Sequence, residues 1–236
     1  VTSGTGSGKT ECFMLPILSD IYSRRNNYNG NDPVEAIFLY PLNALMQDQK
    51  DRLGSDCQEL GLKFAVYNSS LKESKAVGSV NPNYPNAEVR TRTSVRTMQT
   101  NGCPSCPQIL LTNPSMLEYM LVRNSDQPIF ERSKGKLKWI VIDEAHTYTG
   151  SAAIELAYLI KRVLSAFNVE RSDVQFVCTS ATIGDPNKPQ ELLDFIETIT
   201  GEIPAGCGQK LVHVDGNRIV PPMRIADVQV ALQNVG

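Results

Sequence analysis

Near its start the chain carries Ser3-Gly4-Thr5-Gly6-Ser7-Gly8-Lys9-Thr10. Three glycines in five residues, then Lys-Thr, then a helical run, are what a phosphate cradle requires. Small residues let successive backbone N–H groups turn inward around a phosphate, and the helix that follows points its positive end at the same anion. The expected nucleotide-binding set is Gly4, Thr5, Gly6, Ser7, Gly8, Lys9 and Thr10. Lys9 would reach the β- and γ-phosphates, and the Thr10 hydroxyl would sit on Mg²⁺. Ser3 stands where the G-x-x-x-x-G-K-[ST] pattern has its first glycine, and a small residue there still permits the turn. A glycine-rich turn that only capped a helix would not ask for Lys-Thr directly after its last glycine. Alone, the motif points to a nucleoside triphosphate and no further.

Far downstream, Asp143-Glu144-Ala145-His146 follows the apolar run Trp139-Ile140-Val141-Ile142. Two adjacent acids closing a buried strand provide one carboxylate, Asp143, for Mg²⁺ and another, Glu144, to polarise an attacking water. Acids that merely end a strand at the surface are common, but beside a phosphate loop that explanation is poor. Ser180-Ala181-Thr182 ends the next apolar strand. Its hydroxyls lie within prospective reach of the Asp143–His146 turn, although Ser and Thr at strand ends are usually turn formers.

These groups need a scaffold that gathers strand ends. Ala36–Tyr40, Lys63–Tyr67, Ile109–Thr112, Leu137–Ile142 and Val174–Thr179 read as short apolar strands. Helices are expected over Glu11–Arg25, with Pro16 bending or restricting its first turns, and over residues 42–60, with Leu42, Leu45, Met46 and Leu53 on one side. Further helices are expected at Pro114 to about Arg123, 151–166 and Glu191–Thr200, with a last strand at Lys210–Val214. Alternation of this kind predicts an α/β fold, a parallel sheet flanked by helices on both faces. In such sheets ligands bind beyond the carboxyl ends of the strands, where the motifs fall. Between Asn68 and Pro107 the periodicity fails, which predicts an insertion with some structure of its own or a loop.

Composition sets outer limits. The net charge of −2 excludes a wholly basic nucleic-acid binder but leaves room for a local basic strip. No apolar run is long enough to span a bilayer and there is no signal peptide, while six scattered cysteines favour a reducing, cytoplasmic setting. Only Val1 and Thr2 precede a loop that should follow a buried strand, so the sequence is expected to be a piece of a longer protein.

Five segments, taken in order, resemble a known family. Thr5-Gly6-Ser7-Gly8-Lys9-Thr10, Pro41-Leu42-Asn43-Ala44-Leu45, Thr112-Asn113-Pro114, Asp143-Glu144-Ala145-His146 and Ser180-Ala181-Thr182 look like motifs I, Ia, Ib, II and III of superfamily 2 helicases of the DEAD/DEAH-box type. The wording around Leu111–Tyr119 looks most like bacterial Lhr- and YprA-like DNA helicases. The resemblance implies that residues 1–200 form the first RecA-like P-loop NTPase domain, and that 201–236 lead toward a second one. It implies ATP and Mg²⁺ as cofactors, with Lys9 and Thr10 on phosphate and metal, Asp143 on Mg²⁺ through water, and Glu144 as catalytic base. His146, within the nucleotide site, would couple hydrolysis to movement with Ser180 and Thr182. A nucleic-acid strand, DNA by the finer resemblance, would run near Asn43, Gln47, Thr112 and Asn113, held mostly by its phosphates. The adenine-reading segment before motif I and motifs IV to VI, including the arginine finger, have no counterpart here, so this piece alone should bind nucleotide weakly and turn it over slowly.

Other signals carry less. Cys103-Pro104-Ser105-Cys106 has zinc-ligand spacing but lacks two further ligands, so no metal site is assigned to it. Arg90, Arg92 and Arg96 read as solvated charges of a polar loop, and Trp139 as core. The competing functional reading is a nucleotide-gated P-loop binding or scaffold module that separates no strands.

Overall fold

Five strands pair in parallel in the order β2-β3-β1-β4-β5. They are β1 (Ala36–Leu39), β2 (Phe64–Val66), β3 (Ile109–Thr112), β4 (Trp139–Ile142) and β5 (Gln175–Cys178). The computed structural model describes residues 9–28, 32–74, 81–96, 107–180 and 189–202. The phosphate-loop residues Gly4 to Gly8, the Lys9 side chain, Thr182, the Cys103–Cys106 pair and the strand expected at Lys210–Val214 lie outside the described residues.

Wholly apolar strands form here because both sheet faces are covered. Every residue of β1 and β3 is buried, and side chains alternate between two cores. Ile37, Leu39, Leu110, Ile140 and Ile142 face one core, closed by α4 (Pro114–Val122), α5 (Gln127–Arg132) and α6 (Ser151–Ala166), with α7 (Pro189–Thr200) against α6. Ala36, Phe38, Ile109, Leu111 and Val141 face the other, closed by α1 (Lys9–Arg24) and α2 (Asn43–Leu60). Phe13 of α1 meets Phe38 edge-on at 5.8 Å, which fixes the first turns of α1 over β1. Pro16 sits inside α1 and is tolerated on its exposed side.

Several boundaries differ from the sequence expectation. Leu42 does not share the apolar side of α2: it is the residue before the helix and is 63% exposed. The six-residue α5 was not expected, since so short an element shows no helical period.

The segment after Asn68 follows the first of its two expectations, an insertion with some structure of its own. Residues 87–89 run beside the edge strand β2, with Phe64 N–H donating to Ala87 O at 2.9 Å and Val89 N–H to Phe64 O at 2.8 Å. A short helix, α3 (Arg92–Arg96), follows. The arginines expected to be solvated are instead engaged. Arg92 donates to Leu71 O at 2.8 Å and Asn68 O at 2.9 Å, and lies 5.0 Å from the centre of the Tyr67 ring. Arg90 pairs with Glu88 at 3.5 Å. Arg96 donates to Asp126 at 2.6 Å and also pairs with Glu73.

Asp126 is fully buried and also accepts from the Tyr67 hydroxyl at 2.5 Å and Arg123 at 3.2 Å. Burial and this carboxylate push the Tyr67 phenol up to about 12, so it remains a donor. One carboxylate thus ties α3, β2 and the turn after α4 together. Asp126→Ala should lower stability by about 3 kcal/mol, because the largely buried Arg96 and the Tyr67 hydroxyl lose their shared acceptor. Urea denaturation measures this, and an unchanged midpoint would mean that Asp126 does not hold the insertion.

Candidate functional site

The strand register decides what meets at the carboxyl end of the sheet. Leu39 pairs with Thr112 on one side and Ile142 on the other, and Ile142 pairs with Cys178. The ladder continues one residue further. Tyr40 N–H donates to Thr112 O at 3.0 Å, Asp143 N–H to Leu39 O at 2.9 Å, and Thr179 N–H to Ile142 O at 3.0 Å. Asn113, Tyr40, Asp143 and Thr179 therefore form one transverse row, held by backbone hydrogen bonds. By alternation Tyr40 shares the face of Phe38, and Asp143 the face of Val141, so both look toward the core that α1 closes.

Asp143 and Glu144 sit in a tight turn. Thr179 Oγ1 donates to Asp143 Oδ1 and accepts the Glu144 N–H at 3.2 Å, while Ala145 N–H donates to Thr179 O at 2.8 Å. Glu144 has φ 49°, in the left-handed region where a non-glycine residue is strained. Such strain persists only where its surroundings enforce it, and it concentrates at functional sites. Glu144 Oε2 is buried without a hydrogen bond; it lies 3.3 Å from His146 Nδ1, an ion pair only when the imidazole is protonated. Ser180 Oγ stands 3.3 Å from the same nitrogen, so His146 joins the Glu144 turn to the end of β5.

Other expected site residues are placed unequally. Thr10 is half-buried in the first turn of α1, on the Asp143 side of the sheet. Asn113 caps α4 by accepting from Met116 N–H at 2.7 Å, and its Nδ2 donates to Asn43 Oδ1 at 3.0 Å. Asn43 and Gln47 are exposed on the first turns of α2, whose preceding residue, Leu42, offers no capping acceptor. Thr112 is different. Its side chain is fully buried and donates to Tyr67 O at 2.7 Å, so it is not presented for a strand to touch. Strand alternation turns Thr112 inward and leaves the surface to Asn113.

Beyond Gln47 an open polar pocket of about 230 Å³ is lined by Gln47, Lys50, Asn68, Lys72, Glu88 and Arg90, among others. Lys50 pairs with Glu88 at 3.1 Å and Arg90 pairs with the same carboxylate at 3.5 Å, while Lys72 adds a third cation to the lining.

Two residues that sequence reasoning passed over belong to this site. Thr179 precedes the Ser-Ala-Thr triplet and makes the direct bonds to the acidic turn. Tyr40 precedes Pro41 and carries a buried hydroxyl with no partner. Burial first and the Asp143 charge second push its phenol well up. Tyr148, whose hydroxyl is also buried and partnerless, is pushed up to about 12 by the same two causes.

Among the described residues no group of three or more His, Cys, Asp or Glu side chains could hold a metal unaided. Mg²⁺ carried in with phosphates takes one or two carboxylates and keeps several waters, a demand that the Asp143 carboxylate at the strand end could meet. The partnerless buried oxygens of Tyr40, Tyr148 and Glu144 also fit a site that closes on polar ligands.

Residues 1–191 match the family described as DEAD/DEAH box helicase. The chain is 32% identical over 200 residues to the "Uncharacterized ATP-dependent helicase YprA" of Bacillus subtilis, covering 80% of this chain and 22% of that protein. Among solved structures, DUF1998 helicase MrfA bound to DNA superposes with a TM-score of 0.57 at 32% identity, over 85% of this chain and 22% of that one. MrfA bound to DNA and AMPPNP gives a TM-score of 0.58 at 28% identity, over 99% of this chain and 29% of that one. The chain spans about a fifth of the length of the curated relatives it matches. Its five-stranded parallel sheet, covered by helices on both faces, has the RecA-like architecture of a helicase domain. On the extent of the family match, the chain belongs to the DEAD/DEAH box helicases.

Proposed function

We propose that this chain is the first RecA-like, ATP-binding domain of an ATP-dependent helicase or translocase that acts on DNA. The observation that carries the reading is the Asp143-Glu144 turn, pinned by Thr179 at the carboxyl end of the sheet on the face that α1 covers, in a chain matching the helicase family over residues 1–191. In this reading residues 4–10 would cradle the triphosphate, and Thr10 with Asp143 would hold Mg²⁺, whose contribution when bound would be to offset the negative charge of the phosphates. Glu144 takes a proton from the attacking water. His146 passes the change in the turn to Ser180 and so to the strand end.

A DNA strand would lie across Asn43, Gln47 and Asn113, held by phosphate contacts and by the uncapped N–H groups of α2. The Lys50, Lys72 and Arg90 pocket extends that track with positive charge. DNA is favoured because two MrfA structures similar to this chain are described as bound to DNA. A second RecA-like domain of the same protein would close the site and supply the missing arginine. A cytoplasmic location fits the free thiols of Cys12 and Cys57, and among the described residues no helix is long and apolar enough to cross a membrane.

The test is ATP hydrolysis and duplex separation by the full-length protein, with and without DNA. Hydrolysis should rise with DNA and unwinding should require ATP; a DNA-indifferent ATPase that separates no strands would favour a nucleotide-gated binding module. Within the same assays Ser180→Ala with Thr182→Ala should leave stimulated hydrolysis largely intact while unwinding falls. Parallel loss of both activities with a lowered melting temperature, or loss of neither, would reject the coupling role.

A further inference from the structure

Tyr40 is 0% exposed, yet among the described residues its hydroxyl has no hydrogen-bond partner. A buried, unpartnered hydroxyl is costly, and phenylalanine would fill the same space without that cost. The ring explains itself: it packs in the core with Phe38, Met46 and Val141. The oxygen does not.

Its position indicates a use. Tyr40 and Asp143 are lateral neighbours on adjacent parallel strands, facing the same way and fixed by the ladder bond from Asp143 N–H to Leu39 O at 2.9 Å. On the far side of Asp143, Thr179 already donates to Oδ1 directly. Tyr40 makes no direct bond to that carboxylate, and a water between the two would give its hydroxyl a partner.

We propose that Tyr40 is a positioning residue of the nucleotide site, whose hydroxyl oxygen accepts a hydrogen bond from a water of the cation shell that Asp143 anchors. The inference rests on the reading of Asp143 as the carboxylate that holds Mg²⁺. A strongly hydrated cation keeps several waters, and orienting one of them fixes the carboxylate and the cation together. The apolar body of Tyr40 sets the hydroxyl in place; Thr179 and Tyr40 then hold Asp143 from both sides.

The experiment is calorimetric titration of ATP into the full-length protein, with Mg²⁺ and with the metal chelated, for wild type, Asp143→Asn and Tyr40→Phe, plus the melting temperature of each without nucleotide. Wild type should bind ATP more tightly with Mg²⁺, and Asp143→Asn should lose most of that gain. Tyr40→Phe should lose about fivefold to tenfold of the Mg²⁺-dependent gain, the worth of roughly one hydrogen bond, while binding metal-free ATP normally. Its melting temperature should be unchanged or higher, since a costly buried hydroxyl is gone. A Tyr40→Phe protein with the full Mg²⁺ gain would overturn the inference while leaving Asp143 in place. A fall in melting temperature with equal losses in both titrations would overturn it in favour of packing alone. Absence of any Mg²⁺ gain in wild type would remove the Asp143 reading itself, and Tyr40 with it.

Discussion

Glu144→Gln should leave ATP and Mg²⁺ binding near wild type and slow hydrolysis by about 10²- to 10⁴-fold, the range for removal of a general base. The substitution keeps the side chain's size and its left-handed backbone at φ 49°. It removes only the ability to take a proton. Glu144 Oε2 is buried without a hydrogen bond, so exchanging a charged carboxylate for a neutral amide lowers a desolvation cost. Against that, the amide gives up attraction to a protonated His146, 3.3 Å away. The two effects oppose, and the folded state should survive with little change in melting temperature. Binding without turnover is therefore the expected signature, read by calorimetry for affinity and phosphate release for rate. Hydrolysis near wild type at saturating ATP would show that another group activates the water.

Burial decided which parts of the fold were legible. Ile109–Thr112 and Ser151–Ala166 stand where the residue pattern puts them, because a four-residue run buried on both faces and a long amphipathic helix leave few other choices. α5 and α3 are too short to show a period, and they are held by tertiary bonds instead. Asp126 gathers Tyr67 from 59 residues away and Arg96 from 30, a coincidence that no local window contains. The solvated reading of Arg92 and Arg96 failed for that reason: their acceptors, Leu71 O and Asn68 O for Arg92 and Asp126 for Arg96, lie 21 to 30 residues away in the chain.

The candidate site divides along the same line. Asp143, Glu144, His146 and Ser180 were visible as residue types at strand ends, and the structure brings them together around one imidazole nitrogen and one tight turn. Tyr40 and Thr179 were not visible, since their importance comes from lateral register across β1, β4 and β5. Once the strands are paired, each is one ladder step from Asp143. Thr112 shows the reverse: a residue inside a matching motif can be turned inward by strand alternation and spend its hydroxyl on Tyr67 O.

Lys9→Ala should abolish measurable ATP binding or weaken it by roughly a hundredfold or more. An ammonium facing two phosphates makes charge-assisted hydrogen bonds worth about 1.5–3 kcal/mol each, and about 1.4 kcal/mol corresponds to tenfold in affinity. Backbone N–H groups of a glycine-rich turn give direction to the phosphates but carry only partial charge, so they cannot replace it. The variant should fold, because α1 is anchored further along by Phe13, Met14, Ile17, Leu18 and Ile21, all buried in the core against β1. Alanine also favours a helix start no less than lysine does. Titration of ATP with Mg²⁺ into the full-length protein, with the melting temperature as control, measures the effect. Glu144→Gln should keep the affinity that Lys9→Ala loses, so the pair separates holding the nucleotide from cleaving it. Wild-type ATP affinity in Lys9→Ala would take the phosphate-cradle assignment away from residues 4–10 and leave the acidic turn without its substrate.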